Sequence, residues 1–212
     1  MYLNILDPNQ TVNFITPSYE NDNLVRTGVI SDGSCLIHCI LFASSSKYRN
    51  SDIQTKKKIV SELRKSIADS ITKDQFMELN NGEISKISFT ELLQTELETM
   101  YNSNQSTPIE FFKSVVSKNE IDTIIQSNIN RDLYFIGTSI ILGIVELFKF
   151  KLSDQTKFSD KISKCCDIIK DTFETMISTC INNAYNNYCN GLSNPKEQLG
   201  HENLELLSKI FK

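Results

Sequence analysis

Asp32-Gly33-Ser34-Cys35 is the stretch of this 212-residue chain whose residue types could do chemistry. Val29 and Ile30 ahead of it are β-branched and favour an extended segment, Gly33 offers a permissive turn, and Ser34 is a good cap for a helix starting beside it. The pattern predicts Cys35 in the first turn of a helix. There the unpaired backbone N–H groups and the positive end of the helix dipole stabilise a thiolate, the form of sulfur that attacks a carbonyl carbon. N–H groups of the same turn could hold a tetrahedral oxyanion. Local physics leaves a second role open, in which Cys35 is one more small apolar residue heading a buried helix.

The element that must position Cys35 is the helix behind it. Leu36, Cys39, Ile40 and Ala43 recur at helical spacing and predict its apolar stripe, and Ser44-Ser45-Ser46 ends it. His38 lies three residues from Cys35 and shares its side of the helix. Helical side chains lean towards the N-terminus, whereas a base must reach the sulfur from the substrate side, so His38 is expected to be packed or surface-facing. Further on, residues 51–72 predict an amphipathic helix capped by Ser51, with Ile53, Ile59, Val60, Leu63, Ile67 and Ile71 inward and its Lys, Arg, Asp and Glu outward. Lys56-Lys57-Lys58 belongs to that solvated face. A short helix over 73–80 stops at Asn80-Asn81-Gly82, and another covers 89–100. Thr107-Pro108 opens a helix through Val116, Pro being favoured in a first turn. Helical patterns continue over 120–129, 133–150, 159–188 and 204–211.

Composition narrows the function classes. A net charge of -4 and a pI near 5.3 argue against sequence-independent nucleic-acid binding, which needs a basic face to neutralise phosphates. The apolar run 133–145 is 13 residues long, short of the roughly 20 that span a bilayer, and predicts a buried helix. Residues 1–23 form a polar N-terminal extension anchored by Leu3, Ile5, Phe14 and Ile15, without the cationic and apolar pattern of a secretion leader. Reduced thiols are therefore expected for all six cysteines, in the cytoplasm. No Cys-x-x-Cys pair is present to hold zinc. Cys35, His38 and Cys39 offer three ligands on paper, but one short helix cannot close a tetrahedron, so neither metal nor cofactor is expected. Cys165, Cys166, Cys180 and Cys189 fall on the stripe of the long helix as core or near-core residues. Abundant Asn, Ile, Lys and Ser, with few Gly and Pro and no Trp, match an AT-rich coding sequence.

Asp32-Gly33-Ser34-Cys35-Leu36, followed by a small and apolar helix, resembles the nucleophile block of the ovarian-tumour (OTU) family of papain-like cysteine proteases. Asp32, Gly33, Cys35 and Leu36 match the family's pattern, while Ile37, His38 and Cys39 stand where an aromatic, a polar residue and Ala are usual. A second block, Leu199-Gly200 leading into 201–211, resembles the family segment in which a Gly, usually after Trp, precedes a helix. Leu199 replaces that Trp, and Leu206 a usual Ala. The resemblance implies an α+β fold, mostly helical over these residues, with the nucleophile helix packed on a small sheet.

It also implies thiol-dependent hydrolysis of isopeptide or peptide bonds at the C-terminus of ubiquitin or a ubiquitin-like protein. Cys35 and Asp32 are its catalytic residues, with Gly33 and Ser34 at the oxyanion turn. In the family a strand follows that helix and the catalytic His lies further on, at the start of a later strand, which places it and its acidic partner beyond Lys212. Residues 24–212 thus read as an OTU-like domain incomplete at its C-terminus and inactive on its own, with His201 a structural or rim residue. The AT-rich composition fits a large DNA virus as well as a protist, and a viral member would act in host cytoplasm. A competing expectation is a non-catalytic module that keeps the fold to bind ubiquitin or another protein.

Overall fold

The computed structural model describes residues 6–13, 25–131, 133–153, 159–200 and 203–211. Two compact units divide the chain: 1–71 with 188–212, and 72–187. The first contains the only strands among the described residues, β1 (Thr11–Asn13) and β2 (Val25–Thr27), paired antiparallel with Thr11 opposite Thr27. Its helices are α1 (Cys35–Ser44), α2 (Ser46–Arg49), α3 (Ile53–Ser70) and α10 (Leu204–Ile210). The second unit consists of α4 (Lys73–Glu78), α5 (Glu83–Asn102), α6 (Thr107–Val115), α7 (Lys118–Asn128), α8 (Leu133–Lys151) and most of α9 (Ser159–Ser193).

This architecture overturns the expected α+β papain-like fold. The protein is mainly helical, and two three-residue strands are its whole described sheet content. Val29 and Ile30, expected to be extended strand residues, lie after β2 in irregular backbone. There the N–H of Gly28 donates to Gln10 O and its carbonyl accepts from Asn9, which closes the small ribbon. The expected sheet rested on resemblance; the apolar periodicity of the chain is helical almost throughout.

In the second unit the core lies where the three- and four-residue spacings put it. Phe89, Leu93 and Leu97 of α5, Ile121 and Ile125 of α7, Ile136, Ile140, Ile144 and Phe148 of α8, and Ile169, Phe173 and Ile177 of α9 are all buried together. Asn80 and Asn81 have φ of 49° and 56°, and Gly82 of 82°; three left-handed residues in a row stop α4 before α5 begins. α5 starts at Glu83, six residues before the predicted Phe89, because this turn releases the chain directly into helix. α9 runs on to Ser193. Thr72 and Gln75 form a reciprocal capping box at the start of α4, with bonds of 2.8 and 3.2 Å. Of the later cysteines, Cys166 and Cys180 are buried and Cys165 and Cys189 half-buried, as the stripe predicts. No described helix is long and apolar enough to cross a membrane. The anchors expected in the N-terminal extension fall outside the described residues.

At the start of α7, the Glu120 carboxylate accepts from Lys151 Nζ at 2.7 Å and from the backbone N–H and hydroxyl of Ser117 at 2.9 and 2.8 Å. Those bonds, Lys151 first and Ser117 after it, depress the Glu120 carboxyl from 4.5 to about 2. A carboxyl depressed on folding contributes stability above its unfolded value and loses it as pH falls through its folded value. Acid titration of the wild type should therefore show an unfolding slope between pH 4.5 and about 2 that Glu120→Gln flattens. Equal slopes in thermal melts across that window would show that the network does not couple to folding.

Candidate functional site

Cys35 is the first residue of α1 and is half-buried. The turn before it is organised by Asp32. One carboxylate oxygen accepts from the N–H of Ser34 at 2.8 Å, and the Asp32 carbonyl accepts from Cys35 N at 3.3 Å. Two N–H groups of the expected oxyanion turn are thus directed back at Asp32. Ser34 occupies the N-cap position, but its hydroxyl caps nothing. It is fully buried and accepts from Arg64 Nη1 at 2.9 Å. Gly33 is needed for space rather than for a left-handed backbone: a Cβ there would sit 2.3 Å from the carbonyl oxygen of Glu197.

The buried face of α1 is Ile37 and His38, not the predicted Leu36, Cys39, Ile40 and Ala43 stripe. Cys39 and Ala43 are exposed. The helix turns inward its one polar side chain that finds buried partners. His38 Nε2–H donates to the second Asp32 oxygen at 3.2 Å, since an ionised carboxylate can only accept. His38 Nδ1 pairs with the Tyr48 hydroxyl. Tyr48, on α2, is 3 % exposed, and burial first, then the charges of Asp32 and Cys39, push its hydroxyl up to about 12. It therefore keeps its proton and donates it to Nδ1. Asp32, His38 and Tyr48 form one connected polar chain with His38 as its buried middle, which bears out a packed His38.

Arg64 is the largest departure from the expected solvated face of α3. It is 1 % exposed and bonds five acceptors: Leu192 O at 2.6 Å, Gly191 O at 2.8 Å, Glu197 O and Ser34 Oγ at 2.9 Å, and Gly33 O at 3.1 Å. Burial pulls its guanidinium below the ordinary value, with the Asp32 and Glu197 charges opposing. Leu199 N–H donates to Gly33 O at 2.9 Å. The two sequence blocks at 29–43 and 199–211 therefore meet, and Arg64 ties the first of them to the chain entering the second. Lys56 is also buried, its ammonium donating to Asn9 Oδ1 at 2.7 Å and lying 5.4 Å from the Tyr48 ring centre. The cap of α3 is Asp52 rather than Ser51, and Ile53 is exposed.

Sequence reasoning missed Tyr48, Arg64 and Lys56. For the two cations a signal exists: Lys56, Val60, Arg64, Ile67 and Ile71 run at spacings of four, four, three and four, so both are in phase with the buried face. Tyr48 carried none, standing in a four-residue helix between Ser-rich and polar segments. His201 lies outside the described residues. Among the described residues no group of three or more His, Cys, Asp or Glu side chains is placed to hold a metal ion. Compared with family models, with curated proteins and with solved structures, the chain finds no match.

Proposed function

We propose that the chain carries the nucleophile, Cys35, of a thiol-dependent hydrolase that attacks the carbonyl at the C-terminus of ubiquitin or a ubiquitin-like protein. The observation that carries it is the placement of Cys35: a half-buried thiol heading a ten-residue helix, behind a turn fixed by Asp32, Arg64 and Leu199. A fixed turn holds the sulfur in one geometry, so little of its freedom has to be lost for attack. Attack forms a thioester as the carbonyl C–N bond breaks and the thiol proton leaves with the amine, and water then releases the ubiquitin carboxylate and restores the thiol. The substrate class rests on the OTU-like residues around Cys35, and a reducing, cytoplasmic setting on six free cysteines.

A second function, as a non-catalytic module binding ubiquitin or another protein, is favoured by His38. Both of its ring nitrogens are taken by Asp32 and Tyr48, so His38 does not serve Cys35 as a base. Incubation with ubiquitin carrying a C-terminal electrophile separates the two. A covalent adduct on wild type that Cys35→Ala abolishes is the expected result. Equal labelling of both proteins would remove Cys35 as nucleophile, and reversible binding without an adduct would establish the module.

A further inference from the structure

We propose that Cys35 and Cys39 form a dithiol site for a thiophilic centre that bonds two sulfurs at once, the class being a trivalent arsenical. The site shares Cys35 with the proposed hydrolase but does not depend on that thiol being a nucleophile. Both cysteines are free, Cys39 is exposed and Cys35 half-buried, and they stand one helical turn apart on α1. Residues four apart on a helix have Cβ atoms about 5–6 Å from one another, and side chains lean towards the N-terminus, which brings the Cys39 sulfur back over Cys35. Desolvation first, and the neighbouring Cys35 second, push the Cys39 thiol up.

The spacing selects the ligand. A disulfide wants its Cβ atoms about 3.5–4.5 Å apart, closer than an intact helix turn brings them. A bridging atom lengthens the path from one Cβ to the other by a whole bond and fits the wider gap. Zinc or another four-coordinate ion would need further ligands, and His38 is turned away into its bonds with Asp32 and Tyr48. A trivalent arsenical needs only two thiols, and accepts them protonated. With phenylarsine oxide the step balances as a condensation: two As–S bonds form, the As=O bond breaks, and the oxygen leaves as water with both thiol protons. Arsenic stays trivalent and no oxidant is consumed.

The rival pair, Cys165 and Cys166, are adjacent on α9 and so project about 100° apart around the helix. Cys166 is moreover buried. Phenylarsine oxide added to the full chain should give one adduct by intact mass that survives excess glutathione and is released by dimercaptopropanol. Peptide mapping should show Cys35 and Cys39 protected from iodoacetamide. Chelation raises affinity through effective concentration, so Cys35→Ser and Cys39→Ser should each bind on the order of 100-fold more weakly. Cys39 is exposed, and its variant should keep the wild-type far-UV circular dichroism. Equal affinity of wild type and Cys39→Ser, or protection mapped to Cys165 and Cys166, would overturn the site. Labelling by the ubiquitin electrophile is scored separately, so loss of that activity with arsenical binding intact leaves the dithiol site standing.

Discussion

Arg64→Met should lower the unfolding free energy by about 3–5 kcal/mol, the range for removing one partner from a buried charged network. Methionine replaces the volume of the stem but none of the donors. Gly191 O, Leu192 O, Glu197 O, Gly33 O and Ser34 Oγ then lose the bonds that Arg64 made to them. An unmet buried acceptor costs about 1–3 kcal/mol, and the saved desolvation of the guanidinium offsets only part of five such losses. Arg64→Lys should be nearly as damaging, because an ammonium has three donors on one atom and cannot span the fork that serves five acceptors. Urea unfolding followed by circular dichroism reads the change in midpoint. A loss below about 1 kcal/mol for Met would mean that these acceptors find other partners, since that is the worth of a single exchanged hydrogen bond.

The same residue shows why part of the site was legible in the sequence and part was not. Local chemistry suffices to place Cys35 at the head of a helix: a turn-forming Asp-Gly, then apolar residues. It does not suffice to orient that helix. The six apolar residues between Cys35 and Ala43 leave the direction of burial ambiguous, and the choice between Cys39 and His38 as the inward residue depends on Asp32 and Tyr48. Arg64 was misread for a related reason. A cation on a helix is normally outward, and three of the four carbonyls that reverse this preference come from residues 191–197, more than 120 positions away.

The helices of the second unit needed no such distant partner. Their own spacing of Ile, Leu and Phe set both their existence and their inner faces, which is why α7, α8 and α9 lie close to where periodicity puts them. The α+β expectation failed because a short motif fixes local backbone and side chains, while sheet content is a property of segments far outside it. Asp32-Gly33-Ser34-Cys35 is compatible with the helical fold that the remaining sequence encodes.

Phe112→Ala should lower the unfolding free energy by about 3–5 kcal/mol, the range for truncating a fully buried Phe. Phe112 is fully buried on α6, a helix of nine residues that is too short to be stable by itself and depends on its inward face. Its ring meets Phe148 of α8 with centroids 5.6 Å apart and Phe173 of α9 at 5.8 Å, the second edge-on at 72°. Truncation removes the transfer free energy of the ring, the edge-to-face term, and the contacts of two further rings left facing a cavity. Its neighbour makes the control. Phe111 is 39 % exposed and touches only Phe148 among the aromatic rings described, so Phe111→Ala should cost well under half as much. Urea unfolding of the two variants separates packing from helix propensity, because both substitutions put the same good helix former into α6. Similar midpoints for the two would show that the cavity at Phe112 collapses and that α6 is held instead by Ile109 and its Pro108 start.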